Sequence, residues 1–235
     1  MARTFEAGVG STHYRTRGAA DMRCRGDRPA REAAALPWMM QTGEERLTAA
    51  FQAAPREGFL RRSQQRYADT DGPLPIGRGV TSSQPSTVRT MLGLLDVQPG
   101  QRVLDIGAGS GWTTALLANL VGPAGSVLGL EILPDIAAWG AANLGAAGVP
   151  WARLEAADPS VLGRPGEAPY DRILVSAMAH DIPDALLDQL AEDGVLVLPL
   201  AGRMGIVRRR PGALPDVRIE GHYRFVPLLE PDEWY

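Results

Sequence analysis

Hydrophobic and polar positions follow two different periods through the middle and later part of the chain. Short apolar runs with the length of buried strands occur at residues 102–107, 126–131, 150–156, 170–177 and 194–200. Segments with helical spacing of apolar residues lie at residues 112–121, 134–148 and 183–190. Strands that alternate with helices in this way predict an α/β fold with a parallel, doubly wound sheet.

The regions on either side of this alternation have other patterns. Upstream, helices are predicted at residues 44–51 and 86–95, and the polar, Pro- and Gly-rich stretch between them is expected to be loop with one helical turn at most. Downstream, residues 202–210 and 216–228 alternate about a PGALP turn, which predicts an antiparallel hairpin. A mostly parallel sheet that ends in such a hairpin is the methyltransferase variant of the Rossmann-like fold.

Composition narrows the class of protein. The chain has 235 residues, of which 45% are hydrophobic and 22% are charged, as in one globular domain. The formal net charge of −3 gives no reason to expect a nucleic-acid partner. The chain contains no lysine, which excludes any mechanism that needs a catalytic lysine. A single cysteine allows neither an internal disulfide nor a zinc cluster, so no metal is expected.

The ends of the chain bear on its location and domain organisation. There is no secretory signal pattern and no apolar run of the ~18 residues that a membrane span needs, so we expect a cytoplasmic protein, monomeric by default, with no membrane partner. Residues 1–36 are arginine-rich with little periodicity, and we interpret them as a disordered tail before a single domain at residues 37–235. A start codon at Met39 or Met40 and an arm that closes over a site are the alternatives.

The strongest local motif is the glycine loop in VLDIGAGSGW, between a predicted strand and a predicted helix. Glycine at positions 107, 109 and 111 allows close approach of a ligand to the backbone. A dinucleotide fingerprint has a third glycine where this chain has Trp112, and Asp105 suits a cationic ligand better than a pyrophosphate. The loop therefore favours S-adenosylmethionine (AdoMet) over a nicotinamide dinucleotide.

Acidic residues at the ends of the next two strands support the same cofactor. Glu131, followed by Ile132, ends the strand SVLGLE, where a carboxylate can accept both ribose hydroxyls. Asp158 follows the third strand, where it can meet the adenine amine. The predicted AdoMet site thus comprises these residues and the loop, namely Asp105, Gly107, Ala108, Gly109, Ser110, Gly111, Glu131, Ile132 and Asp158.

Five motifs together resemble the protein-L-isoaspartate O-methyltransferase family over residues 47–228. They are PREGF at 55–59, PLPIG at 73–77, TSSQP at 81–85, the glycine loop, and RFVPL at 224–228. The resemblance implies methyl transfer from AdoMet to the α-carboxylate of L-isoaspartyl residues in damaged proteins or peptides, followed by succinimide formation. It also implies that Ser83 lies beside the reacting carboxylate, with Thr81, Ser82 and Gln84 in the substrate-binding segment.

The chemistry fits a segment that has no strong base. A carboxylate is ionised at neutral pH and needs positioning rather than deprotonation. Pro85 is suited to the first turn of a helix, whose electropositive N-terminus attracts an anion. The simpler interpretation is that TSSQP only caps that helix, because Ser and Thr are favoured there in any protein.

The chain departs from the family pattern in four places. Ser82 replaces an apolar residue, Trp112 replaces a tyrosine, AADPS at 156–160 replaces a G-D-G sequence, and PLAGRMG at 199–205 is a compressed version of a longer loop. His180 follows the fourth predicted strand and is either a loop histidine or a substrate contact.

These departures keep other functions open. One is a dedicated aspartyl O-methyltransferase that modifies a ribosomally made peptide to an aspartimide. A non-catalytic AdoMet-binding protein and a small-molecule methyltransferase are further alternatives, and the intact glycine loop and the PLPIG and FVPL motifs argue against them.

Overall fold

The computed structural model describes residues 42–229, and the predicted N-terminal tail lies outside them. The helices are α1 (Gly43–Ala53), α2 (Pro85–Leu95), α3 (Trp112–Val121), α4 (Pro134–Ala146) and α5 (Asp184–Leu187). The strands are β1 (Leu74–Gly77), β2 (Val80–Ser82), β3 (Arg102–Ile106), β4 (Ser126–Glu131), β5 (Ala152–Ala156), β6 (Tyr170–Val175), β7 (Leu190–Leu200), β8 (Arg203–Arg208) and β9 (Asp216–Glu220). Single 3₁₀ turns occur at Arg56–Phe59, Gln65–Tyr67 and Pro165–Glu167.

The main sheet has seven strands in the order β5-β4-β3-β6-β7-β8-β9. Neighbouring strands from β5 to β7 are parallel, whereas β8 pairs antiparallel with both β7 and β9. The predicted doubly wound sheet with an antiparallel C-terminal hairpin is therefore confirmed. Strand order reverses at β3, so the crevice at its carboxyl end is where such a sheet binds ligands.

Successive residues of the central strands face two different cores. Val103 belongs to the core beneath helices α1 to α4, and Leu104 belongs to the core on the opposite face, beside α5. Strands β4 and β6 repeat this alternation, as expected for strands that are buried on both faces. The sheet can therefore hold the ends of β3, β4 and β6 rigidly beneath the glycine loop.

Two elements differ from the sequence prediction. The stretch predicted as loop contains a short antiparallel hairpin, β1–β2, whose Ile76 packs against Ile136 of α4. The helix predicted at 183–190 is shorter, because β7 already begins at Leu190, which pairs with Tyr170. In both cases tertiary contacts decide the local structure.

Side chains from neighbouring segments hold the β1–β2 hairpin in place. Arg61 donates to the Ile76 carbonyl oxygen at 3.0 Å and stacks on the Trp139 ring, with its guanidinium carbon 3.6 Å from the ring centroid. At the tip, Arg78 forms an exposed ion pair with Asp135 in the first turn of α4. The hairpin is thereby fastened across the mouth of the β3 crevice.

Helices α3 and α4 approach each other through glycine. Gly111 has φ of +83°, and a Cβ built on it would lie 2.8 Å from the Gly140 carbonyl oxygen. A Cβ on Gly140 would lie 2.5 Å from the Gly109 carbonyl oxygen. The glycine loop is thus packed directly on the backbone of α4, with no room for a side chain between them. No helix within residues 42–229 has the length and apolar content to cross a bilayer.

We expect Gly140→Ala to lower the free energy of unfolding by about 1–3 kcal/mol, because the new methyl group overpacks the contact with Gly109. Gly145→Ala on the same helix is the matched control, since its Cβ would meet nothing within 4 Å. That control should be neutral or stabilising by up to about 1 kcal/mol. Urea unfolding measures both variants, and equal stabilities would contradict the close packing.

Candidate active site

A cavity of about 340 Å³ lies at the carboxyl ends of β3, β4 and β6. The β1–β2 hairpin forms one wall, and the segment that contains FVPL forms another. Its lining is mostly apolar, with few charged side chains. Residues that line it include Ile76, Arg78, Thr81, Ile106, Gly107, Gly109, Leu130, Glu131, Ile132, Asp158, Ser176, Val226 and Leu228.

The FVPL segment reaches the cavity by extending the sheet. The Met178 N–H donates to the Val226 carbonyl oxygen, and the Leu228 N–H donates to the Met178 carbonyl oxygen, both at 2.7 Å. Residues 226–229 thereby continue beside the end of β6 and face the cavity. This explains why a motif near the C-terminus belongs to the same site as the glycine loop.

The glycine loop exposes backbone to the cavity. Gly109 has φ of +53°, a conformation that favours glycine, and its built Cβ would lie 3.3 Å from the Ile76 side chain. Gly107 also lines the cavity, whereas Ala108 and Ser110 are buried behind it. The Ser110 carbonyl oxygen accepts a hydrogen bond from Asn143 of α4, which holds the loop from outside.

Glu131 is the buried carboxylate among the residues that line the cavity. It ends β4 and is 5% exposed. One oxygen accepts from the Gly109 N–H at 2.9 Å, and the other accepts from the Leu133 N–H at 3.0 Å. Each oxygen retains a second lone pair. Glu131 therefore locks the loop and still presents two acceptors to a ligand.

Asp105 lies behind the loop, outside the cavity lining. It is fully buried, and one carboxylate oxygen accepts from the Thr113 and Thr114 hydroxyls at 2.8 and 2.7 Å. The other oxygen has no hydrogen-bond partner among the described residues. Burial raises the pKa of Asp105 to about 6, with the two threonine hydrogen bonds opposing the shift and the charge of Glu131 adding to it.

Asp158 has the opposite environment. It is exposed at the cavity rim, where one oxygen accepts from both the N–H and the hydroxyl of Ser160. These hydrogen bonds lower the pKa of Asp158. Ile132 also lines the cavity. The predicted adenine-side residue is thus at the cavity, in a turn that it stabilises itself.

The TSSQ segment passes from the cavity into the interior and out again. Thr81 lines the cavity. Ser82 is 5% exposed, and its hydroxyl accepts from Arg56 at 3.1 Å. Ser83 is half-buried and is not among the residues that line the cavity. The Gln84 side chain donates to Asp71 and to Ser86, and it is Asp71 that accepts from the Ser86 N–H at the start of α2. No side chain of the TSSQ segment caps that helix.

One functionally placed residue, Arg56, was not expected from sequence, and Trp112 has a structural role. Arg56, in the PREGF motif, is buried and binds the backbone of the TSSQ segment. Trp112 does not obstruct the loop, because its ring packs on Phe51 of α1 and its Nε1 donates to the Ala54 carbonyl oxygen at 3.0 Å. The PREGF motif was itself the available signal for Arg56. His180 is exposed and lies outside the cavity lining.

The comparisons with known sequences agree over most of the chain. A family model described as Protein-L-isoaspartate(D-aspartate) O-methyltransferase matches residues 36–233. Relatives named protein-L-isoaspartate O-methyltransferase include one from Methanoculleus marisnigri, 41% identical over 196 residues, which cover 82% of this chain and 87% of the relative. Another, from Methanoregula boonei, is 42% identical over 195 residues, which cover 81% of this chain and 88% of the relative.

Solved structures give the same result. One described as a protein-L-isoaspartate O-methyltransferase superposes with a TM-score of 0.73 at 26% identity, over 79% of this chain and 62% of that longer chain. A putative protein-L-isoaspartate O-methyltransferase from Plasmodium falciparum, in complex with S-adenosyl-L-homocysteine, has a TM-score of 0.67 at 22% identity, over 80% of this chain and 91% of that chain. The second likeness bears on the fold alone.

The fold and the cavity define a Rossmann-like, AdoMet-dependent methyltransferase. Within that class, the chain belongs to the protein-L-isoaspartate (D-aspartate) O-methyltransferase family. The residues present fit AdoMet. Gly107 and Gly109 leave the cavity floor without a Cβ, and Glu131 offers two acceptors for hydroxyl donors. The mostly apolar lining suits an adenine ring.

Because Asp105 is buried, the free energy of unfolding is expected to depend on pH in a specific way. Its pKa is about 6 in the folded protein and about 3.9 in an unfolded chain, so the folded state binds the proton more tightly between these values. Stability from this group is therefore lost as pH rises from about 4 to about 6 and is constant above that interval. We expect wild type to lose about 3 kcal/mol of unfolding free energy relative to Asp105→Asn across this interval.

Urea unfolding of both proteins at a series of pH values measures this difference. Asp158→Asn is the control, because Ser160 lowers the pKa of Asp158 and the sign is reversed. Wild type should gain stability relative to that variant as pH rises. Parallel pH curves for wild type and Asp105→Asn would show that the Asp105 carboxyl titrates as it does in water.

Proposed function

We propose that this protein transfers a methyl group from AdoMet to the free α-carboxylate of L-isoaspartyl residues in damaged proteins and peptides. The methyl ester then closes to a succinimide, and hydrolysis of the succinimide returns part of the population to normal aspartate. The observation that carries the proposal is the position of Thr81. This residue lines the cofactor cavity and is also the first residue of the TSSQ segment, which is the proposed binding segment for the substrate.

The chain's residues divide into two groups that bind opposite charges. Glu131, with Gly107, Gly109, Ile132 and Asp158 around it, forms the cofactor side, where hydrogen-bond acceptors and apolar surface are available. Bound there, AdoMet supplies an electrophilic methyl group on a positively charged sulfur. Asp105 adds negative charge behind the loop, since its carboxyl ionises near pH 6. The cofactor side is therefore suited to a cation.

The acceptor side is formed by the TSSQ segment. The Ser83 hydroxyl makes no hydrogen bond to any residue from 42 to 229, and Ser83 is half-buried two residues after Thr81, which lines the cavity. A hydroxyl and backbone N–H groups can hold a carboxylate in line with the methyl group. The substrate oxygen then forms the C–O bond while the C–S bond breaks, and both charges are neutralised without a proton transfer. Correct placement alone can supply up to about 7–11 kcal/mol of the barrier.

A dedicated aspartyl O-methyltransferase is the other function that the sequence left open. The matching relatives carry the isoaspartate name, and that favours repair over modification of one peptide. The proposal further includes a cytoplasmic monomer with no nucleic-acid partner. The net charge of −3 supports the last point, because it provides no general attraction for a polyanion.

The test of this function is methyl transfer from labelled AdoMet to two short peptides that differ only in an isoaspartyl or a normal aspartyl linkage. We expect labelling of the isoaspartyl peptide alone. Ser83→Ala should lower kcat/KM by about 10- to 150-fold, the equivalent of one hydrogen bond to a charged group. Thr90→Ala is the matched control, because that hydroxyl donates within α2 to the Ser86 carbonyl oxygen. Equal labelling of both peptides would reject the isoaspartyl assignment.

A second test addresses the cofactor side by calorimetric binding of S-adenosylhomocysteine. We expect Glu131→Gln to weaken binding by about tenfold or more, because its amide NH₂ cannot accept from a ligand hydroxyl or from a backbone N–H. Asp158→Asn should weaken binding less, since Asp158 is exposed. Unchanged affinity in Glu131→Gln would remove this carboxylate from the cofactor site.

A further inference from the structure

Arg56 is a buried cation without an ion-pair partner among residues 42–229. Its side chain is surrounded by oxygen acceptors of the backbone and by the Ser82 hydroxyl, and no carboxylate of the described chain lies within 4 Å of it. Burial lowers the pKa of Arg56, and the charge of Asp71 opposes that shift. An arginine stays protonated in proteins, so a positive charge is held below the TSSQ segment.

The guanidinium binds the turn of chain that precedes α2 at several points. Nη2 donates to the Ser82 carbonyl oxygen at 3.0 Å and to the Ser83 carbonyl oxygen at 2.9 Å. Nε donates to the Ser82 hydroxyl at 3.1 Å. On the other side of the guanidinium, Nη1 donates to the Thr70 carbonyl oxygen at 3.0 Å, and Nη2 also lies within hydrogen-bond distance, 2.9 Å, of the Gly72 carbonyl oxygen. These bonds join the residues before β1 to the end of β2.

The two serine carbonyl contacts fix the orientation of two peptide planes. In a trans peptide the N–H points opposite to the carbonyl oxygen. The Ser82 carbonyl shares its plane with the Ser83 N–H, and the Ser83 carbonyl shares its plane with the Gln84 N–H. Because both carbonyls point inward to Arg56, both N–H groups point away from it. Neither has a hydrogen-bond partner within the part of the chain that the structure describes.

We infer that Arg56 is a positioning residue for the methyl-accepting carboxylate, because it holds the Ser82 and Ser83 carbonyl oxygens inward and so turns the Ser83 and Gln84 N–H groups toward the substrate. This inference rests on the proposed function, which places the substrate carboxylate beside Ser83. The charge of Arg56 acts in the same direction, since a buried cation without a carboxylate partner favours an anion nearby. Arg56 itself touches neither substrate nor cofactor.

Ser82 has a defined part in this arrangement. Its side chain fills the position of an apolar residue in the related motif, and here it supplies the acceptor for Nε of Arg56. With that bond, all three nitrogen atoms of the guanidinium donate. Nε donates to the Ser82 hydroxyl, Nη1 to the Thr70 carbonyl oxygen and Nη2 to the Ser82 carbonyl oxygen. Lysine cannot reproduce this set, because its three donors share one nitrogen atom.

The experiment compares wild type with Arg56→Lys, Arg56→Ala and Ser82→Ala. For each, kcat and KM are measured with the isoaspartyl peptide, affinity for S-adenosylhomocysteine by calorimetry, and the ¹⁵N–¹H shifts of Ser83 and Gln84 by NMR. We expect Arg56→Lys to lower kcat/KM about 100-fold through misplacement of the acceptor site. Cofactor affinity should be unchanged, the two amide signals should move, and free guanidinium should restore part of the activity of Arg56→Ala.

Arg61→Lys is the matched control. Arg61 binds the first strand of the same hairpin through the Ile76 carbonyl oxygen and makes no hydrogen bond to the TSSQ segment. Its replacement should move the Ser83 and Gln84 signals less than Arg56→Lys does and should lower kcat/KM less. Ser82→Ala removes one acceptor and should change the same two signals as Arg56→Lys by a smaller amount, which keeps the test decisive if an Arg56 variant does not fold.

Three results would overturn the inference. They are unchanged amide signals in the Arg56 and Ser82 variants, unchanged kcat/KM in Arg56→Lys, or a loss of activity that follows loss of cofactor affinity and is not restored by guanidinium. An inactive wild type would reject the proposed function instead. In that case the amide signals of Ser83 and Gln84 still decide whether Arg56 orients this backbone.

Discussion

The structure before β3 depends on one buried guanidinium. Strands β1 and β2 have four and three residues, and an isolated hairpin of that size is not stable in water. Arg56 stabilises it by binding carbonyl oxygens on both sides of the hairpin, those of Thr70 and Ser82. It also lies over the Trp112 ring, 5.4 Å from the centroid, and so connects the hairpin to the first residue of α3. The acceptor segment is therefore fixed by this side chain, whereas the cofactor loop is held by α4 and Glu131.

The opposite end of the site is fixed by glycine rather than by charge. The contact of Gly111 with Gly140 brings the loop onto α4, and this places the Gly109 N–H where Glu131 can accept from it. A side chain at either glycine would separate the loop from the helix and move the carboxylate. The acidic side of the site is thus a consequence of backbone packing. The basic side is a consequence of one long side chain that reaches under the hairpin.

Local patterns were sufficient to predict the sheet, but they were insufficient for the parts of the site that depend on distant donors. Strands such as β3 and β6 are apolar on both faces and were identified directly. The β1–β2 hairpin was missed because its strands are short and contain Pro75, and its stability comes from Arg56 and Arg61. Glu131, Gly107 and Gly109 lie at the cavity as their positions at strand ends suggested, whereas Gly111 packs on α4. No local pattern indicated that Asp105 is sealed behind the loop.

The distribution of charge matches a reaction in which charge disappears. The reactants are an anion and a cation, and the products are a neutral ester and a neutral thioether. A site that only paired the two reactants with strong opposite charges would hold them in the ground state and gain nothing in the transition state. Here two of the buried charges stand back: Arg56 is behind the Ser82 and Ser83 carbonyls, and Asp105 is behind the glycine loop. The carboxylates that line the cavity are already hydrogen-bonded, Glu131 to two backbone N–H groups and Asp158 to Ser160. Hydrogen-bonding groups of this kind orient the reactants, but they stabilise the separate charges less than directly opposed ions would. The loss of charge in the transition state therefore costs less.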